Sequence, residues 1–223
     1  MHGRVFHRLS LVALGVLSVG LLGWPAHTGA QTLGDITGTV GGTVGTVTGT
    51  VPGIVGGTTT VLGDTGTLAA GSLDSLYSEA DSISTSIVSA DVPSARVVGY
   101  ADEIASESYL ASLNLTIAWI TIAAGSAEAQ ARAALNGSSS TATSYISNLS
   151  INGVDVLVDG TVNQVVSIPG GQVVLNEQQV LSDGTMVVNA LHATITGVAD
   201  VVVASAQAGA SGGAASAARV TTF

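Results

Sequence analysis

The chain has 223 residues, 46% of them hydrophobic and 9% charged, with fifteen Asp and Glu against five Lys and Arg for a formal net charge of −10. It has no cysteine, which excludes disulfides, thiolate metal sites and cysteine nucleophiles. It has no lysine either, which excludes Schiff-base chemistry and Lys–Asn isopeptide crosslinks.

Residues 1–30 read as an export signal peptide. Arg4 and Arg8 precede an apolar run from Leu9 to Trp24, and the small-residue stretch PAHTGA predicts cleavage after Ala30. That removes two arginines and no acid, so fifteen acids then face three arginines, a formal charge of −12. Nucleic acid and anionic lipid need clustered Lys and Arg, so neither is an expected partner. After residue 31 no apolar stretch approaches the roughly 20 residues of a membrane span. The expected location is therefore secreted, extracellular or cell-surface associated, with no membrane span in the mature chain. The C-terminal SGGAASAARVTTF has neither an LPxTG-like sorting motif with a hydrophobic tail nor a lipidation cysteine. Attachment to a cell is expected to be non-covalent or through a partner.

Residues 31–71 form a Thr/Gly/Val-rich low-complexity segment. Valine or isoleucine at 36, 40, 44, 47, 51 and 55 would suit a helix face. Glycine costs about 1 kcal/mol per helical position, threonine is weak there, and Pro52 interrupts the run. The segment reads as a flexible spacer.

Residues 72–209 carry the predicted fold, an all-β antiparallel sandwich of short strands. SLDSLYSEADSISTSI, with Leu73, Leu76, Ala80, Ile83 and Ile87 at helical spacing, is the one stretch that could be an amphipathic helix. GSAEAQARAALNG combines helix-favouring residues with strict alternation at Ala127, Ala129, Ala131, Ala133 and Leu135, and the alternation argues for a strand. Turn signals follow at Asn136-Gly137, Asn152-Gly153, Asp159-Gly160, Pro169-Gly170-Gly171, Asp183-Gly184 and Thr196-Gly197. Weak repetition links NLTIAWITI, NLSINGVDV and TITGVADVVV, each a strand, a turn and a further strand. Residues 210–223 read as a flexible Gly/Ala/Ser tail.

VVLNEQQVLSDGTMVVNALHATITG holds the one histidine beyond the leader. A two-residue type I′ turn at Asp183-Gly184 would pair Leu181 with Met186, Glu177 with Ala190 and Leu175 with His192. Glu177 and His192 are then diagonal neighbours on one buried face, about 7 to 8 Å apart at Cα. A turn one residue longer would separate them. The opposite face would gather Asn176, Gln178 and Asn189. Glu177 and His192 are read as a structural polar pair, and the three amides as a polar cluster.

No catalytic residue, metal ligand or cofactor is assigned. No GxSxG-like elbow accompanies the histidine, one His without Cys falls short of a zinc site, and no spacing singles out a carboxylate pair. Aromatic residues to stack a sugar are scarce. Asp155, Asp159, Asp183 and Asp200 lie at or near turns without a DxDxDG pattern, where Asp serves its own backbone hydrogen bonds.

LNEQ, the following Asp-Gly turn, VNALH and GVADVVVASAQAG resemble the C-terminal half of the bacterial choice-of-anchor P family, exported domains joined to differing anchoring arrangements. SYISNLSINGVDV and YLASLNLTIAWITIAAGSAEAQA are similar to its earlier strands, so the likeness covers residues 79 to 209. The resemblance implies a β-rich extracellular module and carries no activity with it. The expected function is a non-catalytic structural or interaction module at the bacterial surface or outside the cell, with other surface proteins or cell-wall glycan as partners. The alternative is a binding module for glycan or a divalent cation, with Asp155, Asp159 and Asp200 as nominal oxygen ligands.

Overall fold

A computed structural model describes residues 39–49, 60–61, 64–84 and 87–209, with side chains from residue 64 onward. All lie in the unit Asp35–Phe223, and no helix occurs among them. The strands in chain order are β1 (Thr39–Gly49), β2 (Thr60–Val61), β3 (Leu68–Ala69), β4 (Ser75–Glu79), β5 (Ser82–Ser84), β6 (Val88–Gly99), β7 (Glu103–Ile117) and β8 (Ile120–Ala134). They continue as β9 (Ser140–Ser147), β10 (Ser150–Ile151), β11 (Val154–Asp155), β12 (Gln164–Ile168), β13 (Gly171–Val180), β14 (Met186–Ile195) and β15 (Ala199–Ala208). A seven-stranded sheet runs β12-β13-β14-β15-β1-β2 with β3 also on β1; an eight-stranded sheet runs β11-β10-β8-β7-β6-β4 with β5 on β6 and β9 on β8. Every pairing is antiparallel. The expected antiparallel sandwich is therefore the fold, with β14 and β15 packed on β7 and β8 around one core.

The local signals hold where glycine decides. The six predicted turns each place a glycine at positive φ: Gly137, Gly153, Gly160, Gly170, Gly184 and Gly197. The three similar segments are each a hairpin, β7–β8, β10–β11 and β14–β15. Alternation wins over helix propensity in residues 126–134, which form more than half of β8, while Leu135 begins the turn.

Three expectations need correction. The stretch from Leu73 to Ile87 is not helical where described: Ser75–Glu79 and Ser82–Ser84 are strands on β6, because an edge ladder rewards their alternation more than a single turn of helix would. Several strands are long, with β7 and β8 fifteen residues each. Inside the segment read as a spacer, Thr39–Gly49 pairs with β15 over nine positions, from Val40↔Ala208 to Gly49↔Ala199. Ladder bonds come from the backbone and do not require large side chains, and the β-branched Thr and Val of TVGGTVGTVTG suit an extended chain. The remainder of that segment up to residue 59, the leader and the tail from residue 210 lie outside the described residues.

Both sheets carry a crease. In the seven-stranded sheet the ladders pass over Asn176 and Ala190, then over Ala190 and Ala204, while pairing the residues on either side. Asn176 and Ala204 both sit at φ 50°. In the eight-stranded sheet the ladder of β7 and β8 passes over Ser112, at φ 51°, and Gly125. A residue in this conformation rotates the strand about its own axis, so the side-chain alternation shifts phase by one. Thus β8 buries Ile120, Ile122 and Ala124 before the crease and Ala127, Ala129, Ala131 and Ala133 after it. Asn tolerates φ > 0 because its side chain can bond locally; alanine there costs roughly 1–2 kcal/mol.

The creases also mark a change in what β8 and β15 contribute to the core, although β7 buries large residues, Ile104 and Leu110 among them, on both sides. Toward the Ala118-Trp119 and Thr196-Gly197 turns the core holds Leu113, Leu115, Ile117, Ile122, Leu191 and Ile195; on the other side β8 and β15 contribute mainly alanines. One close approach closes the end by Thr196-Gly197: a Cβ on Gly171 would lie 1.8 Å from the backbone oxygen of Thr194 on β14. Gly171→Ala is expected to part these strands and cost about 1 to 3 kcal/mol, read as a lower urea midpoint at unchanged slope.

Candidate functional site

The Asp183-Gly184 hairpin is not the two-residue turn expected. Leu181 N–H donates to Thr185 O at 2.8 Å, Gly184 N–H donates to Leu181 O at 2.9 Å, and Gly184 takes φ 84°. This is a three-residue loop of a type I turn closed by a left-handed glycine. Thr185 N–H, bonded to Asp183 Oδ1 at 2.9 Å, fixes it. The register shifts accordingly: Leu175 faces Leu191, Glu177 faces Asn189, and Val174 faces His192.

That shift alone would put Glu177 and His192 on opposite faces of the sheet. The crease between them reverses the effect. Glu177 lies on the hairpin side of Asn176 and His192 on the far side of Ala190, so the phase change returns both side chains to one face. It is the outer face rather than the core face: Val173 and Leu175 are buried inward while Glu177 and His192 are half-buried. His192 Nδ1 donates to Glu177 Oε2 at 2.8 Å. The polar pair stands, on a different face and in a different register from those predicted.

Two further residues complete the site. Asn189 Nδ2 donates to Glu177 Oε2 at 2.6 Å, and His192 Nε2 donates to Asp200 Oδ1 at 2.8 Å. The imidazole thus bridges a carboxylate on β13 and another on β15. Asp200 was missed as its partner, although the β14–β15 hairpin, with Ile195 facing Ala199, sets Asp200 opposite Thr194 and diagonal to His192. The hydrogen bonds to Asp200 and Glu177, with their charges, raise the His192 pKa to about 10 against the opposing effect of burial. Burial pushes Glu177 up, but the bonds from His192 and Asn189 and the imidazolium charge outweigh it and hold the carboxyl below its ordinary range.

The predicted amide cluster divides. Gln178 Nε2 donates to Asn176 Oδ1 at 2.9 Å and to Ala142 O at 3.1 Å, while Ser144 Oγ donates to Asn176 Oδ1 at 3.1 Å. Asn176 and Gln178 therefore tie β13 to β9 of the other sheet. Asn189 is not with them; it serves Glu177 on the outer face.

The chemistry open to His192 is narrow. The Thr194 hydroxyl lies 3.4 Å from Nε2, where a nucleophile would stand in a hydroxyl–His–acid relay. Asp200 Oδ1 instead accepts the hydrogen bond from that ring N–H at 2.8 Å, so an imidazolium with both N–H groups engaged has no lone pair to activate a hydroxyl or bind a metal. The nominal cation ligands are also dispersed. Asp155 is on β11 of the eight-stranded sheet, Asp200 is engaged by His192, and Asp159 accepts from the Thr161 N–H at 2.9 Å and hydroxyl at 2.7 Å, which holds its pKa down. Among the described residues no group of three His, Asp or Glu could hold a metal ion. No helix among them is long and apolar enough to cross a membrane.

No protein-family profile, no curated protein and no solved structure matches the chain.

Proposed function

We propose that this protein is an exported, non-catalytic β-sandwich acting as a structural or interaction module at the bacterial surface or in the extracellular space. The observation that carries the reading is the state of His192. The one histidine among the described residues is spent as a charged tie across three strands, with its ring N–H groups held by Glu177 and Asp200. Export rests on Arg4, Arg8, the apolar run that follows and the small residues before Gln31. The resemblance to choice-of-anchor P domains over residues 79 to 209 supports the same reading. A binding role for a divalent cation is less favoured, because Asp155 lies on the other sheet from Asp200, while Asp159 is held by Thr161 and Asp200 by His192.

Expression of the full chain in a bacterial host, followed by fractionation and N-terminal sequencing, tests the proposal. The expected result is a protein beginning at Gln31 in the envelope or the medium. An unprocessed chain confined to the cytoplasm would overturn it.

A further inference from the structure

The chain has four tyrosines, spread from residue 77 to residue 145 with no pattern in the sequence. The fold brings Tyr77, Tyr109 and Tyr145 to the face of the eight-stranded sheet turned away from the core, and Tyr100 to the turn between β6 and β7. Glu79, Ser94, Tyr109, Glu128 and Tyr145 form one register row across β4, β6, β7, β8 and β9. Tyr77, Arg96, Glu107, Gln130 and Thr143 form the adjacent row. Tyr109 and Tyr145 are thus two strands apart, about 10 Å, and Tyr77 is two strands to the other side of Tyr109. Tyr77 and Tyr145 are 60% and 62% exposed, so their rings are open to a ligand. Tyr100, just after β6, walls a shallow depression with Arg96, Glu107, Gln130 and Arg132.

The surroundings of the rings indicate the ligand. The register neighbours of Tyr77, Tyr109 and Tyr145 in these two rows are polar, namely Glu79, Ser94, Arg96, Glu107, Glu128, Gln130 and Thr143. The depression at Tyr100 adds only Val98 and Ala105 as apolar lining, whereas a protein-binding patch concentrates desolvated apolar area at its centre. Glu79, Glu103, Glu107 and Glu128 outnumber Arg96 and Arg132, and Arg132 is already paired with Glu103 at 2.9 Å, so a polyanion would be repelled. A pyranose has an apolar C–H face to lie on an aromatic ring and hydroxyls at its edge to meet carboxylate, amide and guanidinium groups. Rings about 10 Å apart suit alternate sugars of an extended chain.

We propose that the outer face of the eight-stranded sheet binds an uncharged, extended polysaccharide lying across the strands on Tyr77, Tyr109 and Tyr145, with one sugar seated in the depression beside Tyr100. This names a partner class for the interaction module proposed above and rests on that reading.

Calorimetric titration of the full chain with the β-1,4-linked hexasaccharides of glucose and of N-acetylglucosamine tests it. Binding to at least one of them is expected, weakened roughly tenfold by Tyr109→Ala or Tyr145→Ala and kept within about twofold by the Phe variants, which preserve the ring. Unchanged thermal melting of Tyr145→Ala, whose side chain points outward, controls for folding. Binding indifferent to both alanine variants overturns the placement, and no binding to either sugar at millimolar concentration overturns the proposal. In the second case, a photocrosslinker at position 145 that captures a protein from the cell surface would leave the interaction-module reading standing while the glycan fails.

Discussion

Glu177→Gln is expected to lower the pKa of His192 and to cost about 2 kcal/mol, and the cost should depend on pH in a definite direction. His192 is raised in the folded protein from 6.5 to about 10, so its contribution is fully present below pH 6.5 and is lost as pH climbs toward 10. Glu177 is held below 4.5, so its contribution is present above that value and is lost as pH falls through the folded pKa. The full cost therefore falls between about pH 4.5 and 6.5, and wild type and variant should converge at both extremes. The magnitude is that of one charge-assisted hydrogen bond at a half-buried site. Asp200→Asn should also lower the histidine pKa but cost less stability, because the Asp200 side chain is 52% exposed and water screens it. With both carboxylates neutralised only burial remains, and the pKa should fall below 6.5. NMR titration, with the His192 signal identified by its loss in His192→Gln, reads all four proteins. Coincident curves for wild type and Glu177→Gln would contradict the site as described.

The second large effect is in the core. Leu191→Ala should destabilise by about 3 kcal/mol, because Leu191 is fully buried between Leu175 and Val203 toward the Thr196-Gly197 turn, where rigid ladders on both sides limit collapse into the cavity. Ala129→Leu, across the crease, should fail for the opposite reason. Its position is fully buried, and the added methylenes displace neighbours at a cost of about 1 to 3 kcal/mol. Chemical denaturation of each variant measures both. Tolerance of leucine at 129 would mean that the core around the β8 alanines is loosely packed, contrary to their full burial.

What the sequence determined alone was local. The six glycine turns and the β character of residues 126–134 were legible because a positive φ and a two-residue alternation are properties of neighbouring residues. The strand Thr39–Gly49 was not: its glycines weaken the strand preference of its Thr and Val, and a place beside β15 comes from a ladder offered at least 150 positions later in the chain. The register of the Asp183-Gly184 hairpin failed by one residue, since Asp-Gly suits both two- and three-residue loops and only the packed sheet chooses between them. That single error should have dispersed Glu177 and His192. The crease at Asn176 and Ala190 restored them to one face, and no pattern in LNEQ or NALH announces a phase change that depends on a matching irregularity in the next strand. Tertiary structure likewise decided that Asp200 completes the site and that three scattered tyrosines, Tyr77, Tyr109 and Tyr145, share one face. Both depend on which strands become neighbours, a choice made by the burial of two sheets against each other and not by the residues that it brings together.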